Sequence, residues 1–508
     1  MNVGLAFARN GARHPGDPAI FGERELTNRQ LDERSNRIAN ALLGAHGLAK
    51  GDRVALLVAN RPEVVEVLGG ITKAGGCYVG LNFRLGPVEL EQVFDNADPV
   101  LAITDTEHRD QLDGFDLPVI DIDRDLDALA DAASPAPPNT LHEVRPEDDF
   151  CIVYTSGTTG RPKGVHFDHA RVLQHATVAC LEYEIDRHSR YLIQIPHNSS
   201  VNITILPCLL VGAAQGFVDS RSFDPVRYAR LVEEHGVSHS FLVPTQLMRL
   251  LDRLERADDH KLGSLRTLGY GSSPISPDRL AELVERFGPV FNQLYGMAEI
   301  ASIGTILRKE DHVRGLQERP ELLSSCGQPS YAVDVRVVDP DGHDVAVGER
   351  GEVVFGGPHV MKGYFRDPER TAEALRDGWM HSGDVAEVDE EGFIYIVDRM
   401  KNLIIRGGLN IAPTEIENVL YRHPAVLEAS VIGVPDPEWG EAIVAVVALK
   451  QGASADDQEL RLWCRQSELT SIKIPERVEF ADSLPKNAVG KIAKEELRSQ
   501  YWGEGRKV

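Results

Sequence analysis

Between residues 26 and 81 the hydrophobic period switches repeatedly, and this alternation restricts the fold more than any other feature of the chain. Residues 26–47 place Leu31, Ile38, Leu42 and Leu43 at helical spacing, after which "DRVALLVAN" (52–60) has the pattern of a buried strand. "EVVEVLGGITKAGG" follows as a helix closed by glycine, and "CYVGLN" as a second short strand. Strand and helix in alternation favour a parallel sheet covered by helices.

With 508 residues the chain exceeds what one core can organise, so two or three domains are expected. The proline-rich, acidic stretch "DAASPAPPNTLHEVRPEDD" (131–149) suggests a linker between two lobes. A second α/β block is expected from Phe150 to Pro320, with "ITILPCLLVGAA" (Ile203–Ala214) as a buried strand, too short to span a bilayer and containing a proline. From Cys326 the pattern becomes short strands broken by glycine, a small β-rich subdomain, and after Arg399 comes an α+β unit of about a hundred residues. The expected architecture is α/β: a large, multi-lobed N-terminal domain (1–399) with mostly parallel sheets and a small β-rich subdomain, then a small, mobile α+β C-terminal domain (400–508).

Composition excludes several classes of function. A formal charge of −24 opposes general binding to nucleic acid or membrane surfaces, though a locally basic cleft can still hold a polyanion. The first residues lack a cationic segment followed by an apolar run, so no secretory leader is expected. Cys77, Cys151, Cys180, Cys208, Cys326 and Cys464 form no CxxC pair, which fits small core residues in a reducing cytoplasm better than zinc ligands or a redox couple.

"YTSGTTGRPKG" (Tyr154–Gly164) concentrates glycines, hydroxyls and a lysine, a composition suited to an anion. A Walker loop needs two glycines four residues apart, then lysine and Ser/Thr, opening into a helix. Here the order is Gly157, Gly160, Lys163, Gly164, with Pro162 before the lysine, and a short strand precedes the next helix, which starts near Asp168 or His169. The Walker spacing fails, and the loop is expected to be a flexible strap between strands.

"YTSGTTGRPKG" closely resembles the phosphate loop of the adenylate-forming ligases, the superfamily of acyl-CoA synthetases, aryl-acid ligases, nonribosomal adenylation domains and firefly luciferase. Four further motifs in the same order extend the resemblance over almost the whole chain: "GYGSSPIS" (269–276), "QLYGMAE" (293–299), "SGD" with "DRMK" (382–401) and "PKNAVGKIAK" (485–494). The resemblance implies attack of a carboxylate on the ATP α-phosphate to give acyl-AMP and pyrophosphate, then transfer of the acyl group to a thiol. Two anions must meet, which demands cations and oriented donors.

Carried over residue by residue, the resemblance assigns Thr155 and Lys163 to catalysis, and Ser156, Gly157, Thr158, Thr159 and Gly160 to the phosphates. Tyr295 would stack on adenine, Glu299 would help hold Mg²⁺, and Asn292, Gly296, Met297 and Ala298 would line the nucleotide site. The family usually has threonine where Ala298 stands, so one donor is missing. Gly271, Ser272 and Ser273 would lie against the other adenine face, although a strand-to-helix turn capped by Ser276 also accounts for them. Asp384 would accept from the ribose hydroxyls beside Arg399. Lys491 would reach between carboxylate and α-phosphate. A hinge at Lys401 would then withdraw that lysine and present Gly407 and Gly408 to a pantetheine tunnel.

"IPHNSSVN" (195–202) stands where amino-acid-activating relatives carry an aspartate, which argues against an amino-acid substrate. His197, Asn198, Ser199 and Asn202, with Tyr270 and Ile303, are the expected acyl pocket. A histidine–asparagine pair here is similar to aryl-acid ligases and points to an aromatic or bulky cyclic acid, while Asn198 satisfying backbone groups is an equally open account. The expected reactants are ATP, Mg²⁺, a carboxylic acid and coenzyme A in the cytoplasm. A carrier protein as acceptor, a chain limited to adenylation, a non-catalytic nucleotide binder and a homodimer remain open.

Overall fold

The computed structural model describes residues 1–155, 161–254, 262–486 and 492–502. The chain divides into two compact units, residues 1–335 with 354–381 and residues 336–353 with 382–508.

Two sheets of mostly parallel strands organise the first unit. The seven-stranded sheet runs in the order Gly363–Tyr364, Lys163–Asp168, Asp149–Thr155, Cys77–Leu81, Arg53–Leu57, Leu101–Thr104 and Val119–Asp121. Its strands are parallel from Asp149–Thr155 to Val119–Asp121 and antiparallel at the other edge. The nine-stranded sheet runs Gln328–Pro329, Thr305–Leu307, Phe291–Tyr295, Thr267–Gly271, His239–Leu242, Arg190–Ile193, Ala214–Phe217, Pro18–Ile20 and Leu26–Thr27. Six of these, Phe291–Tyr295 through Pro18–Ile20, are mutually parallel.

The helix Asn28–Ala45 begins with a capping box, in which Thr27 Oγ1 accepts from the Gln30 N–H at 3.3 Å and Gln30 Oε1 accepts from the Thr27 N–H at 2.9 Å. Glu63–Ala74 ends at Gly75, whose φ of 84° closes the helix in the left-handed conformation. These two helices pack closely, the Gly70 backbone lying against the Ile38 side chain, so that a Cβ on Gly70 would overlap Ile38 Cγ2. Between them Lys73 is fully buried, its ammonium donating to Asp32 Oδ1 at 2.5 Å and Asn36 Oδ1 at 2.7 Å. Burial pulls its pKa down to about 8 against those partners.

Three sequence expectations change. The stretch 131–149 does not separate two lobes: Arg37 Nη1 binds the Ala133 carbonyl at 2.7 Å, and Asn40 Nδ2 the Ser134 and Ala136 carbonyls at 2.9 and 2.8 Å. Side-chain donors on one helix thus satisfy a proline-rich backbone that cannot pair with itself. The strands at 149–168 complete the first sheet instead of opening a second block, whose far edge is built from residues 18–27. Finally, Ile203–Ala214 is not a strand: a π-helical turn (Val201–Ile205) leads into the helix Leu206–Val211, closed by Gly212 with φ 81°. A short apolar run has no period to separate strand from buried helix, and Pro207 in the first turn favours the helix.

In the second unit, Leu409–Ile411, Ile404–Arg406, Gly440–Leu449 and Val426–Asp436 form an antiparallel sheet, joined by Arg477–Phe480 parallel to Gly440–Leu449. Ile416, Leu420, Leu460 and Cys464 pack helices onto one face of it. Among the described residues, no helix is long and apolar enough to cross a membrane.

Gly70→Ala is expected to cost about 1–3 kcal/mol, since Ile38 must move, whereas Gly44→Ala, into open space on the neighbouring helix, should be neutral or stabilising by about 0.5–1 kcal/mol. Urea denaturation of the two variants measures both.

Candidate active site

Parallel strands deliver their side chains to one rim of the sheet, outside their carboxyl ends, and several of the motifs leave the nine-stranded sheet there. Thr267–Gly271 and Phe291–Tyr295 are parallel neighbours with Gly271 opposite Leu294, so Gly271–Ser273 and Tyr295–Glu299 emerge side by side. Arg190–Ile193 delivers "IPHNSSVN" to the same rim through the parallel strand His239–Leu242.

The glycines there allow close approach of backbone. A Cβ on Gly271 would lie 2.5 Å from the Leu294 carbonyl oxygen, and one on Gly296 would overlap the Ser302 carbonyl oxygen. The loop after Glu299 then turns sharply, with Ala301 at φ 59° and Ser302 at φ 115°, and Ser272 is also left-handed at φ 74°. Non-glycine residues in that region store strain that the surroundings must hold. Met297 leads into a 3₁₀ turn, Ala298–Ile300, which the Ala301 N–H closes onto the Ala298 carbonyl at 2.9 Å.

Glu299 is 8 % exposed, and its Oε1 accepts from the Tyr364 hydroxyl at 2.7 Å. Burial, and then the carboxylate charge, push the Tyr364 phenol well above its ordinary pKa, so it stays protonated and donates. Tyr364 is aligned by pairing with Val165, and the Lys163 ammonium lies 5.1 Å from the centre of its ring. Lys163 faces Thr155 in the last register of an antiparallel pair. The loop therefore joins two paired strands, as its sequence predicts; Ser156, Gly157, Thr158, Thr159 and Gly160 lie outside the described residues, as does Lys491.

The remaining predicted residues separate into groups. Tyr295, partly exposed, sits 5.9 Å from the Phe355 ring. Asn292 is buried, its amide donating to the Glu182 carbonyl at 2.6 Å. Tyr270 is buried in a core shared with Leu247, Leu251 and Phe291, its hydroxyl bridging Gln293 Oε1 at 2.9 Å and His312 Nε2 at 2.8 Å. His197 is also buried: its Nε2 faces the Val58 carbonyl at 3.0 Å and therefore donates, leaving Nδ1 to accept from the Tyr78 hydroxyl at 2.6 Å. Burial holds its pKa down to about 4. Asn198, the next residue, and Asn202, about one turn further on, are buried, Ser199 is exposed, and Ile303 is fully buried behind the 301–302 turn.

In the second unit, Asp384 and Arg399 face each other across two paired strands and form an ion pair at 2.8 Å. Lys401 lies in a 3₁₀ turn, and its carbonyl accepts from Arg498 Nη1 at 3.0 Å. Gly407 and Gly408, at φ 56° and 81°, form the two-residue turn of a hairpin, where a Cβ on Gly407 would press within 2.9 Å of the Trp439 ring. Tyr364, His175 and His359 were not marked by the sequence analysis. Tyr364 offers only "MKGYF" as a signal, and the two histidines offer none, because their importance lies in what surrounds them.

A model of the AMP-binding enzyme family matches residues 7–365, and one of the AMP-binding enzyme C-terminal domain matches residues 415–491. The chain belongs to that family, among its AMP-forming acid–CoA ligases. A feruloyl-CoA synthase from an Amycolatopsis species is 40 % identical over 98 % of this chain and 99 % of its own. The crystal structure of ATP-bound MatB from Rhodopseudomonas palustris superposes with a TM-score of 0.87 at 30 % identity, covering 99 % of both chains. The Bacillus subtilis o-succinylbenzoate CoA synthetase MenE, in complex with its acyl-adenylate, gives 0.86 at 29 % identity over 99 % of this chain and 98 % of the other. The architecture expected from sequence, mixed α/β with mostly parallel sheets, a small β subdomain and a C-terminal α+β part, is that of these relatives.

Gly296→Ala should lower acid-dependent pyrophosphate exchange by about 10²-fold, because the new Cβ displaces the 296–304 loop and with it Glu299. Circular dichroism should show the fold retained.

Proposed function

We propose that the protein activates an aromatic or bulky cyclic carboxylic acid as its adenylate and transfers the acyl group to coenzyme A. In the first step a carboxylate oxygen forms a bond to the ATP α-phosphorus as the bond to pyrophosphate breaks. In the second the CoA thiol, losing its proton, forms the C–S bond at the acyl carbon as the acyl C–O bond breaks, and AMP departs with the electrons of that C–O bond. The observation that carries this reading is the grouping of Glu299, Tyr364 and Lys163, which sets a fixed carboxylate and a cation beside the end of the phosphate loop. The feruloyl-CoA synthase relative supports the aromatic substrate.

A buried carboxylate oxygen fits the hard-oxygen preference of Mg²⁺, which keeps several waters and takes only one or two protein ligands together with phosphate oxygens. Glu299 would hold it, with Tyr364 fixing one carboxylate oxygen and so the direction of the other. The metal would neutralise phosphate charge. Lys163 would add charge at the phosphates, Tyr295 would stack on adenine, and Asp384 with Arg399 would bind the ribose. Lys491 would neutralise the charge that develops as the two anions meet. We place the large domain at 1–399 and the small one at 400–508, the latter turning about Lys401 between the two steps so that Gly407 and Gly408 face the thiol arm.

Lys491→Ala should reduce acid-dependent exchange of labelled pyrophosphate into ATP by about 10²–10³-fold. Unchanged exchange would remove Lys491 from the mechanism. Supplying CoA should convert the adenylate to a thioester; an adenylate that transfers only to carrier-protein phosphopantetheine would overturn the choice of acceptor.

A further inference from the structure

His175 and His359 come from distant parts of the first unit, the helix His169–Tyr183 and the loop before Gly363–Tyr364. They are 1 % and 0 % exposed, with ring centres 6.5 Å apart and no hydrogen bond between them. The Ile303 N–H points at His175 Nε2, 3.4 Å away, so the ring proton sits on Nδ1, which has no partner among the described residues. Neither nitrogen of His359 has one. Asn202, 5 % exposed in the π-helical turn, leaves its Oδ1 unpartnered, and its main chain approaches His175. Asn198, one turn earlier, also has an unpartnered Oδ1.

Buried polar groups are nearly always hydrogen-bonded, so unpartnered nitrogens on two buried rings 6.5 Å apart, with an unpartnered Oδ1 on Asn202, whose main chain approaches one of them, require an explanation. An apolar acyl chain would leave every one of them unpaired. A metal ion is not favoured, because neither histidine belongs to a cluster of three His, Cys, Asp or Glu ligands among the described residues. An anionic group is disfavoured as well: burial holds His175 down to about 3 and His359 to about 4, so both rings are neutral and offer no positive charge. What the cluster presents is mixed, a donor at His175 Nδ1, one donor and one acceptor on His359, and acceptors on the asparagines. A hydroxyl, which both donates and accepts, complements that set.

We propose that His175, His359 and Asn202 determine specificity by recognising a neutral hydroxyl group on the acid. The assignment of this region to the acid rests on the ligase reading above. It explains why the "IPHNSSVN" segment turns through a widened helical turn, which carries Asn202 toward His175, and why the 301–303 loop presents a backbone N–H to the ring. The histidines act on which acid binds, not on the phosphoryl transfer.

Titration calorimetry on the intact protein, without ATP, tests this with cinnamic acid, its 2-, 3- and 4-hydroxy isomers and 4-carboxycinnamic acid. At least one hydroxy isomer should bind about 10²-fold more tightly than cinnamate, and the dicarboxylate should not. His359→Leu and His175→Leu should bring that preference down to less than about threefold while leaving cinnamate affinity unchanged, and His359→Gln should keep part of it. Because the His359 nitrogens are unpartnered, His359→Leu should not lower the melting temperature. The proposal is overturned if no isomer exceeds cinnamate by about tenfold, as a site that only encloses water would give, or if the preference survives in both leucine variants. A lowered melting temperature with equal loss for both acids would make His359 structural and overturn it too. Thioester formation is measured separately: no thioester with an intact hydroxyl preference defeats the ligase reading, and thioester without the preference defeats this one.

Discussion

A carboxylate that is 8 % exposed must be compensated where it stands, and the compensation of Glu299 ties together three distant stretches of chain. The Tyr364 hydroxyl supplies the hydrogen bond, the short strand Gly363–Tyr364 holds that tyrosine by pairing with Lys163–Asp168, and Lys163 at the end of that strand adds its charge over the ring. The Met361 N–H donates to the Glu299 carbonyl at 2.8 Å, so the backbone of the same segment is engaged as well. Moving any one of these pieces would leave a buried charge with fewer partners. The loop between the strands Asp149–Thr155 and Lys163–Asp168 is thereby tied at its Lys163 end to the segment that holds Glu299.

The loop that carries Glu299 is shaped by steric exclusion more than by attraction. Gly296 leaves no space for a side chain against Ser302, and the two left-handed residues at 301 and 302 reverse the chain so that the Gly304 N–H can return to the Tyr295 carbonyl at 2.9 Å. Local backbone cost at such a turn is offset by the strand pairing on either side, between Phe291–Tyr295 and Thr305–Leu307. The result is a rigid presentation of Tyr295, Ala298 and Glu299 at the rim of a parallel sheet.

Much of this was legible in the sequence because the relevant physics is local. Helical spacing and buried apolar runs identified the first helices and strands, glycine marked the end of Glu63–Ala74, and the failed Walker spacing with its strand-like sequel foretold a loop between two strands, Asp149–Thr155 and Lys163–Asp168, which the structure pairs antiparallel. The errors arose where the deciding partner is distant. Residues 131–149 looked like a linker because their backbone has no local partners, and the side chains that satisfy it, Arg37 and Asn40, lie about a hundred residues earlier. Ile203–Ala214 looked like a strand because an apolar run buried all round carries no period.

The sequence alone determined the alternation that builds parallel sheets, which follows from residue types at fixed spacing, and the reaction class, through five motifs that resemble those of the adenylate-forming ligases. Only the tertiary structure decided that Tyr364 holds Glu299, that His197 is locked between Tyr78 and Val58, that Tyr270 belongs to the apolar core, and that His175 and His359 lie close together with His175 Nδ1 and both His359 nitrogens unpartnered among the described residues. Hydrogen bonding and burial depend on which distant groups share a space, and the order of residues along the chain does not contain that information.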